Sequence, residues 1–244
     1  MSSKNLMEKS DAYIFSQRRD REEDNSAADS RQLKPVITVS HQTGAGAHQV
    51  VNRLAEIFQE TEFMGGEPWL VFDRQLIERA LLEQGWPKNL ADKIREEKRF
   101  FIDELMDDLF SLRPPSWVLM PQVVDTAKHL AMEGHVILVG HGATIITAKM
   151  PSAFHVRLTG SLPRRIERVQ KLWNLTPETA AKLVNKEDHS RERYLRAYFH
   201  ARLDNELLHD LSINTDRISN SDAASMIADG ARRFFSALSR SGPK

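Results

Sequence analysis

The strongest constraint on the fold is a single stretch near the start of the ordered pattern. Val36, Ile37, Thr38 and Val39 are followed at once by Ser40, His41, Gln42, Thr43, Gly44, Ala45, Gly46, Ala47, His48 and Gln49. Val50, Val51, Leu54, Ile57 and Phe58 then recur at helical spacing. A short β-branched run that is apolar on both faces belongs inside a sheet covered on both sides. The segment therefore reads as a buried strand, a Gly- and Ala-rich turn and an amphipathic helix, the opening of a parallel α/β unit.

The theme recurs along the chain. Trp69, Leu70, Val71 and Phe72 predict a second strand, Val136 to Val139 a third, Phe154, Val156 and Leu158 a fourth, and Leu211, Ser212 and Ile213 a short fifth. Helical patterns lie between them, with stripes at Leu90, Ile94, Phe101, Leu105 and Leu109, and at Val123, Val124, Ala127, Leu130 and Ala131. Pro163 to Trp173 predicts a helix with Ile166, Val169 and Leu172 buried, Thr176–Pro177 opens another, and a last helix opens at Ser221. Strands alternating with helices imply a parallel sheet, with ligands beyond its carboxyl edge.

Residues 1–33 mix charges of both signs with Ser, Asp and Asn, and they predict a flexible tail whose Leu6, Met7, Tyr13, Ile14 and Phe15 could alternatively dock on a partner. Residues 34–244 form the main domain, with a helical insert at 87–121. Equal numbers of basic and acidic residues, 34 each, argue against binding to nucleic acid or to an anionic membrane. With no cysteine, disulfides, thiolate catalysis and cysteine-built zinc sites are excluded. No apolar run approaches the roughly 20 residues needed to span a bilayer, so the expectation is a cytoplasmic protein.

A turn between strand and helix that holds a polyphosphate needs inward-facing backbone N–H groups, which glycine permits, and gains from the positive end of the following helix. The sequence pattern for such a loop is G-x-x-x-x-G-K-[ST]. With Gly46 on the second glycine, His41 replaces the first glycine, Ala47 the lysine and His48 the Ser/Thr. On pattern alone, a plain glycine-rich turn remains an alternative.

Four segments together carry a resemblance. The loop Ser40 to Ala47 resembles S-R-E-x-G-S-G-G, and Phe72 to Ile77 resembles Y-D-[KR]-x-[LI]-[IL]. Val139 to Ala143 resembles V-G-R-G-A, and Asp210 to Thr215 resembles Y-D-L-x-[IL]-N-T. In that order, from about Val36 to Ile227, the chain resembles the cytidylate-kinase-like family, a branch of the P-loop nucleoside monophosphate kinases. The resemblance implies a three-layer P-loop kinase fold with a five-stranded parallel sheet in the order 2-3-1-4-5, a helical lid at 160–205 and an acceptor-binding insert. It also implies Mg²⁺-assisted transfer of the ATP γ-phosphoryl group to a nucleoside monophosphate or related small acceptor. Thr43, Gly44, Ala45, Gly46, Ala47, His48 and Gln49 would cradle the donor phosphates. His41, His141, Asp73 and Asp188 would meet the acceptor. The family usually has arginine where His41 and His141 stand, and histidine is largely neutral at pH 7.

Something must supply the positive charge that the lysine would give. Arg164, Arg165 and Arg168 follow the fourth strand at three- and four-residue spacing, and Asp188 precedes Arg191 by three, with Arg193 and Arg196 beyond. By the resemblance, Arg164, Arg168 and Arg191 are the catalytic cations of the lid, against the alternative of a solvated face of ion pairs. Asp73, just past the second strand, either assists the acceptor or water on Mg²⁺, or caps the next helix. No protein metal cluster is predicted. His129, His135, His155, His189, His200 and His209 lack ligand spacing and read mostly as surface or loop residues, and the four tryptophans read as packing. Two rivals stand beside the kinase. One is a catalytically impaired nucleotide-binding regulator, and the other a partner-binding module acting through the tail.

Overall fold

In the computed structural model, residues 34–73, 120–140, 142–202 and 205–241 are described. The expected tail at 1–33, residues 87–119 of the insert expected at 87–121, and His141 lie outside them. The elements run β1 (Val36–His41), α1 (Ala47–Glu60), β2 (Leu70–Phe72), α2 (Met120–Glu133), β3 (Val136–Val139), α3 (Ala143–Ile146) and β4 (Ala153–Thr159). They continue through α4 (Leu162–Trp173), α5 (Pro177–Phe199), a short 3₁₀ turn (Glu206–Leu208), β5 (Leu211–Asn214) and α6 (Asn220–Ser241).

The five strands are parallel and ordered β2-β3-β1-β4-β5, as expected. Central β1 pairs on both sides, with Val36 level with Val136 of β3 and with Ala153 of β4. Because side chains alternate along a strand, β1 divides its residues between two faces. Ile37 and Val39 join Phe154, Val156 and Leu158 in a core completed by α1 and α6. Val36 joins Leu70, Phe72, Leu138 and Ala153 in a second cluster under α2. Thr38 and Ser40 share this second face, and both are buried. Their position makes one side of the sheet polar toward its carboxyl edge.

Helix α1 forms where Val50, Val51, Leu54, Ile57 and Phe58 make one apolar stripe. Opposite it, Ala223, Ala224, Ala228 and Ala231 of α6 are small enough to let the two helices approach closely, with Ile227 and Phe235 filling the seam. Phe58, Phe63, Trp69 and Phe235 form an aromatic group, with the Phe58 and Trp69 centroids 4.6 Å apart, so the packing role expected of Trp69 holds.

Two local expectations need correction. Helix α6 starts at Asn220 rather than Ser221, because Ser219 caps it: its Oγ accepts from the Asp222 amide at 3.1 Å and donates to the Asp222 carboxylate at 2.6 Å. In α4, Leu172 is 62% exposed, and the buried stripe runs instead through Arg165 and Val169. The last turn, just before Asn174 reverses the chain in a left-handed conformation, carries Leu172 past the α5 residues that cover Val169. Among the described residues, no helix is long and apolar enough to cross a membrane.

Phe235 is fully buried in the α1–α6 seam. Truncating it (Phe235→Ala) is expected to lower unfolding free energy by about 3–5 kcal/mol, read from urea denaturation midpoints.

Candidate phosphate-binding site

The carboxyl end of β1 leads into the glycine turn without a break in pairing, as the Gln42 amide still donates to the Leu158 carbonyl at 3.1 Å. The chain then reverses, with the Ala45 amide donating to the Gln42 carbonyl at 3.0 Å. Gly44 and Gly46 take positive φ angles of 81° and 83°. Gly44 has a steric reason as well, since a Cβ there would lie 2.5 Å from the Arg165 carbonyl oxygen. The first turn of α4 is therefore pressed onto the loop.

Gly46 is the N-cap of α1, and it leaves the helix without a side-chain cap or an acidic residue in the first turn. The amides of Ala47, His48 and Gln49 precede the first intrahelical bond, from Val50 to Gly46, and they form the positive end of the helix dipole. This is a local environment suited to an anion.

Three arginines hold the loop by its carbonyls. Arg165 donates to Thr43 O at 3.0 Å, Arg168 to Gly44 O at 3.4 Å and Arg191 to His41 O at 3.2 Å. A carbonyl and the following N–H point in opposite directions across a planar peptide. Fixing Thr43 O toward Arg165 therefore turns the Gly44 N–H away from that guanidinium. Arg165 also donates to Gly160 O at 3.0 Å, and Arg168 bonds both the hydroxyl and the carbonyl of Thr215. Gln42 adds a strut, its Oε1 accepting from the Gly160 amide at 3.0 Å.

Asp188 of α5 joins these parts. Its carboxylate accepts from the Thr43 amide at 2.8 Å, from Arg191 at 3.1 Å and from Arg165 at 2.6 Å. Burial pushes the Asp188 carboxyl upward, but the Thr43 amide and hydroxyl and the Arg165 guanidinium outweigh it and hold the group below the usual carboxylate range. Arg165 is only 6% exposed, which excludes the solvated-face reading for this residue.

The sequence-derived candidates divide accordingly. Arg168, Arg191 and Asp188 converge on the loop, whereas Arg164 is 63% exposed and pairs with Glu167. Arg196 pairs with Glu192 on the outer side of α5. Asp73 follows β2, its carboxylate 3.9 Å from His48 Nδ1. Among the described residues, no group of three or more His, Asp or Glu side chains is arranged to hold a metal.

Beside the loop, at the ends of β1 and β3, lies a cleft whose lining includes Ser40, His41, Gly140, Thr144 and Arg191. Gly142 forms part of its wall, and a Cβ there would lie 2.7 Å from the Phe199 ring and 3.3 Å from Leu195, so α5 packs directly on this turn. Behind the cleft run two polar links that sequence reading missed. Thr38 Oγ1 lies 3.0 Å from Thr144 Oγ1 and 2.8 Å from His155 Nδ1, and Ser40 Oγ lies 2.9 Å from His209 Nε2. His155 and His209 are thus built into the sheet face, and His135 is buried against Glu67 and Trp69. Of the six histidines read as surface or loop, His129, His189 and His200 are exposed and His135 and His209 lie in loops, so His155, within β4, is the one that departs from that reading.

Burial, with Arg191 next in effect, pushes His41 down to about 3. Burial and then Arg157 push His209 down to about 4. Both are neutral at pH 7, and burial also lowers His155.

A profile of the cytidylate kinase-like family matches residues 36–217. No curated protein matches the chain significantly. Among solved structures, an uncharacterised protein from Eubacterium ventriosum superposes with a TM-score of 0.59 at 15% identity, covering 81% of this chain and 98% of that one. Shikimate kinase from Bacteroides thetaiotaomicron gives 0.44 at 12% identity, covering 83% of this chain and 98% of its own. Shikimate kinase from Acinetobacter baumannii in complex with shikimate gives 0.39 at 17% identity, with 80% and 92% covered.

Two expectations follow from this geometry. Arg165→Ala leaves Asp188 without its closest cation and should cost about 2–4 kcal/mol in urea unfolding, less than for a fully buried pair because Asp188 is partly exposed. His41 and His209 have folded values below the ordinary 6.5, so their contribution to stability is complete above pH 6.5 and shrinks as pH falls toward 4. Between pH 7 and 5 the pair should remove roughly 2–4 kcal/mol, and replacing both with Asn should flatten that slope in thermal melts.

Proposed function

This chain belongs to the cytidylate kinase-like family, and from that premise we propose that it is a phosphotransferase, moving the γ-phosphoryl group of ATP to a small acceptor. The observation that carries the reading is the loop held by its carbonyls. Arg165, Arg168 and Arg191 occupy the outer side of the turn, and the uncapped first turn of α1 stands at its end. A lysine in a phosphate loop adds one cation. Here three guanidiniums, partly neutralised by Asp188, surround the same turn. At about 6 Å and an effective dielectric constant of about 20, one unit charge still stabilises another by ~3 kcal/mol, so cations that brace the loop also favour phosphate within it.

In this proposal the turn from Thr43 to Gln49 holds the donor phosphates through the amides of Gly44 and of Gly46 to Gln49, the Thr43 and Ala45 amides being taken by Asp188 and by the Gln42 carbonyl. Arg168 and Arg191 supply positive charge where the transferring group becomes more exposed to the protein, and Arg164 is the cation that would have to swing in from solvent. His41, His141, Asp73 and Asp188 belong to the acceptor side. The residues suit Mg²⁺ bound mainly through phosphate oxygens and water, with Asp73 the acid at the strand edge. The ion would neutralise charge on the phosphates. The protein's part is to fix their position and exclude water. A nucleoside monophosphate acceptor is suggested by the family alone, and a cytoplasmic setting by the apolar and cysteine content of the sequence.

A regulator that binds nucleotide without turnover is the second reading, favoured by Ala47 in the lysine position and by Asp188 on the Thr43 amide. Calorimetry with a non-hydrolysable ATP analogue, paired with ATP turnover across acceptors and pH values, separates the two. The kinase should bind the analogue and turn over ATP when an acceptor is supplied. Arg168→Ala should lower kcat/KM by about 10–100-fold with folding retained. Analogue binding without turnover would support the regulator, and absence of analogue binding would remove both readings.

A further inference from the structure

Thr43 is held at each of its polar atoms by the two helices that follow β4. Its N–H donates to Asp188 Oδ1 at 2.8 Å and its carbonyl accepts from Arg165 at 3.0 Å. Its hydroxyl accepts from Arg191 at 3.2 Å and donates to the Asp188 carboxylate. Of these partners, only Asp188 is an anion. An ionised carboxylate is an acceptor-only group, as is a phosphate oxygen, so both suit the same N–H and the same guanidiniums. Asp188 therefore fills, from within the chain, part of what the loop offers to a polyphosphate.

The turn keeps its shape through bonds that do not involve this carboxylate. Arg165, Arg168 and Arg191 reach the carbonyls of Thr43, Gly44 and His41 directly, and Gln42 is tied to the Gly160 amide. Arg165 is also fixed by Gly160 O and Arg168 by Thr215. What Asp188 alters is the charge, since it pairs with both Arg165 and Arg191 and offsets one of the three guanidiniums around the loop. It is also the reachable member of its closest pair, with its side chain 27% exposed against 7% for Arg165. A rotamer change turns it toward water while α5 stays packed on α4 through Leu183 and Val184.

Resting on the phosphotransferase reading, we propose that Asp188 is an autoinhibitory anion, which occupies the Thr43 amide and neutralises Arg165 and Arg191, and which the donor phosphates must displace to bind tightly. With the carboxylate turned away, the Thr43 N–H joins the amides of Gly44 and of Gly46 to Gln49, and two guanidiniums regain their full charge beside the loop. The contact is a latch carried on α5. Affinity for a polyphosphate is lowered by the fraction of molecules in which the latch is open. The ligand class follows from the chemistry of the contact, since any polyphosphate competes with a carboxylate for an amide and two arginines.

The test is calorimetry on the full-length chain with Mg²⁺ and a non-hydrolysable ATP analogue, repeated with inorganic tripolyphosphate, beside urea unfolding of the same proteins. Asp188→Asn removes the charge and keeps an oxygen for the Thr43 amide. It should lower the unfolding midpoint, because Arg165 loses its ion-pair partner. It should nevertheless tighten both ligands by about 10-fold or more, which corresponds to a latch open in roughly one wild-type molecule in ten. A carboxylate that only builds the loop would lose stability and affinity together. Thr43→Val removes the hydroxyl that donates to the carboxylate, and should tighten both ligands by about 3-fold. Unchanged or weaker binding by a folded Asp188→Asn protein overturns the proposal. If that variant does not fold, unchanged or weaker binding by Thr43→Val overturns it instead. Binding of neither ligand to wild type or to either variant removes the phosphotransferase reading on which the proposal rests.

Discussion

The orientation of a few peptide planes governs this molecule. A turn can present N–H groups to an anion only if its carbonyls have somewhere else to go, and a buried carbonyl without a donor is costly. Here the donors are guanidiniums carried on α4 and α5, and the closeness of α4 leaves room only for glycine at position 44. Burying an arginine is unfavourable by itself, and burial accordingly lowers the affinity of Arg191 for its proton. Asp188 compensates, since it pairs with two of the three arginines and also takes the Thr43 amide. The helices, the loop and the carboxylate form one electrostatic unit.

The framework was readable because it obeys short-range rules. Strands apolar on both faces, such as Val36–Val39 and Val136–Val139, have few homes outside a parallel sheet, and Thr176–Pro177 announces its helix, whose Thr176 side chain accepts from the Thr179 amide. The final helix shows how narrow the margin is. Ser219 and Ser221 are equivalent by composition, and only Asp222, three residues after Ser219, decides between them.

The site was less legible, for a physical reason. Periodicity on α4 marks Leu172 as core and gives no warning that Arg165 is buried, because a guanidinium enters a core only when fixed acceptors are brought to it from far along the chain. Those acceptors, Thr43 O and Asp188, stand 122 and 23 residues away. The same holds for Ser40 and His209, 169 residues apart, which read as unremarkable polar positions until the sheet sets β1 beside β4 and the turn before β5. Arg168, Arg191 and Asp188 were found because the family resemblance supplied the missing long-range information. Arg164 shares that motif, yet its side chain lies largely in solvent, paired with Glu167.

Helix α5 presents Asp188 and Arg191 to the loop and, further along, Leu195 and Phe199 to Gly142. Eleven residues of continuous helix separate the first from the last of these contacts, roughly 16 Å of stiff rod. The two halves of the cleft are thus mounted on a common beam. A displacement of α5 at the loop is therefore carried along the rod to the Gly142 turn.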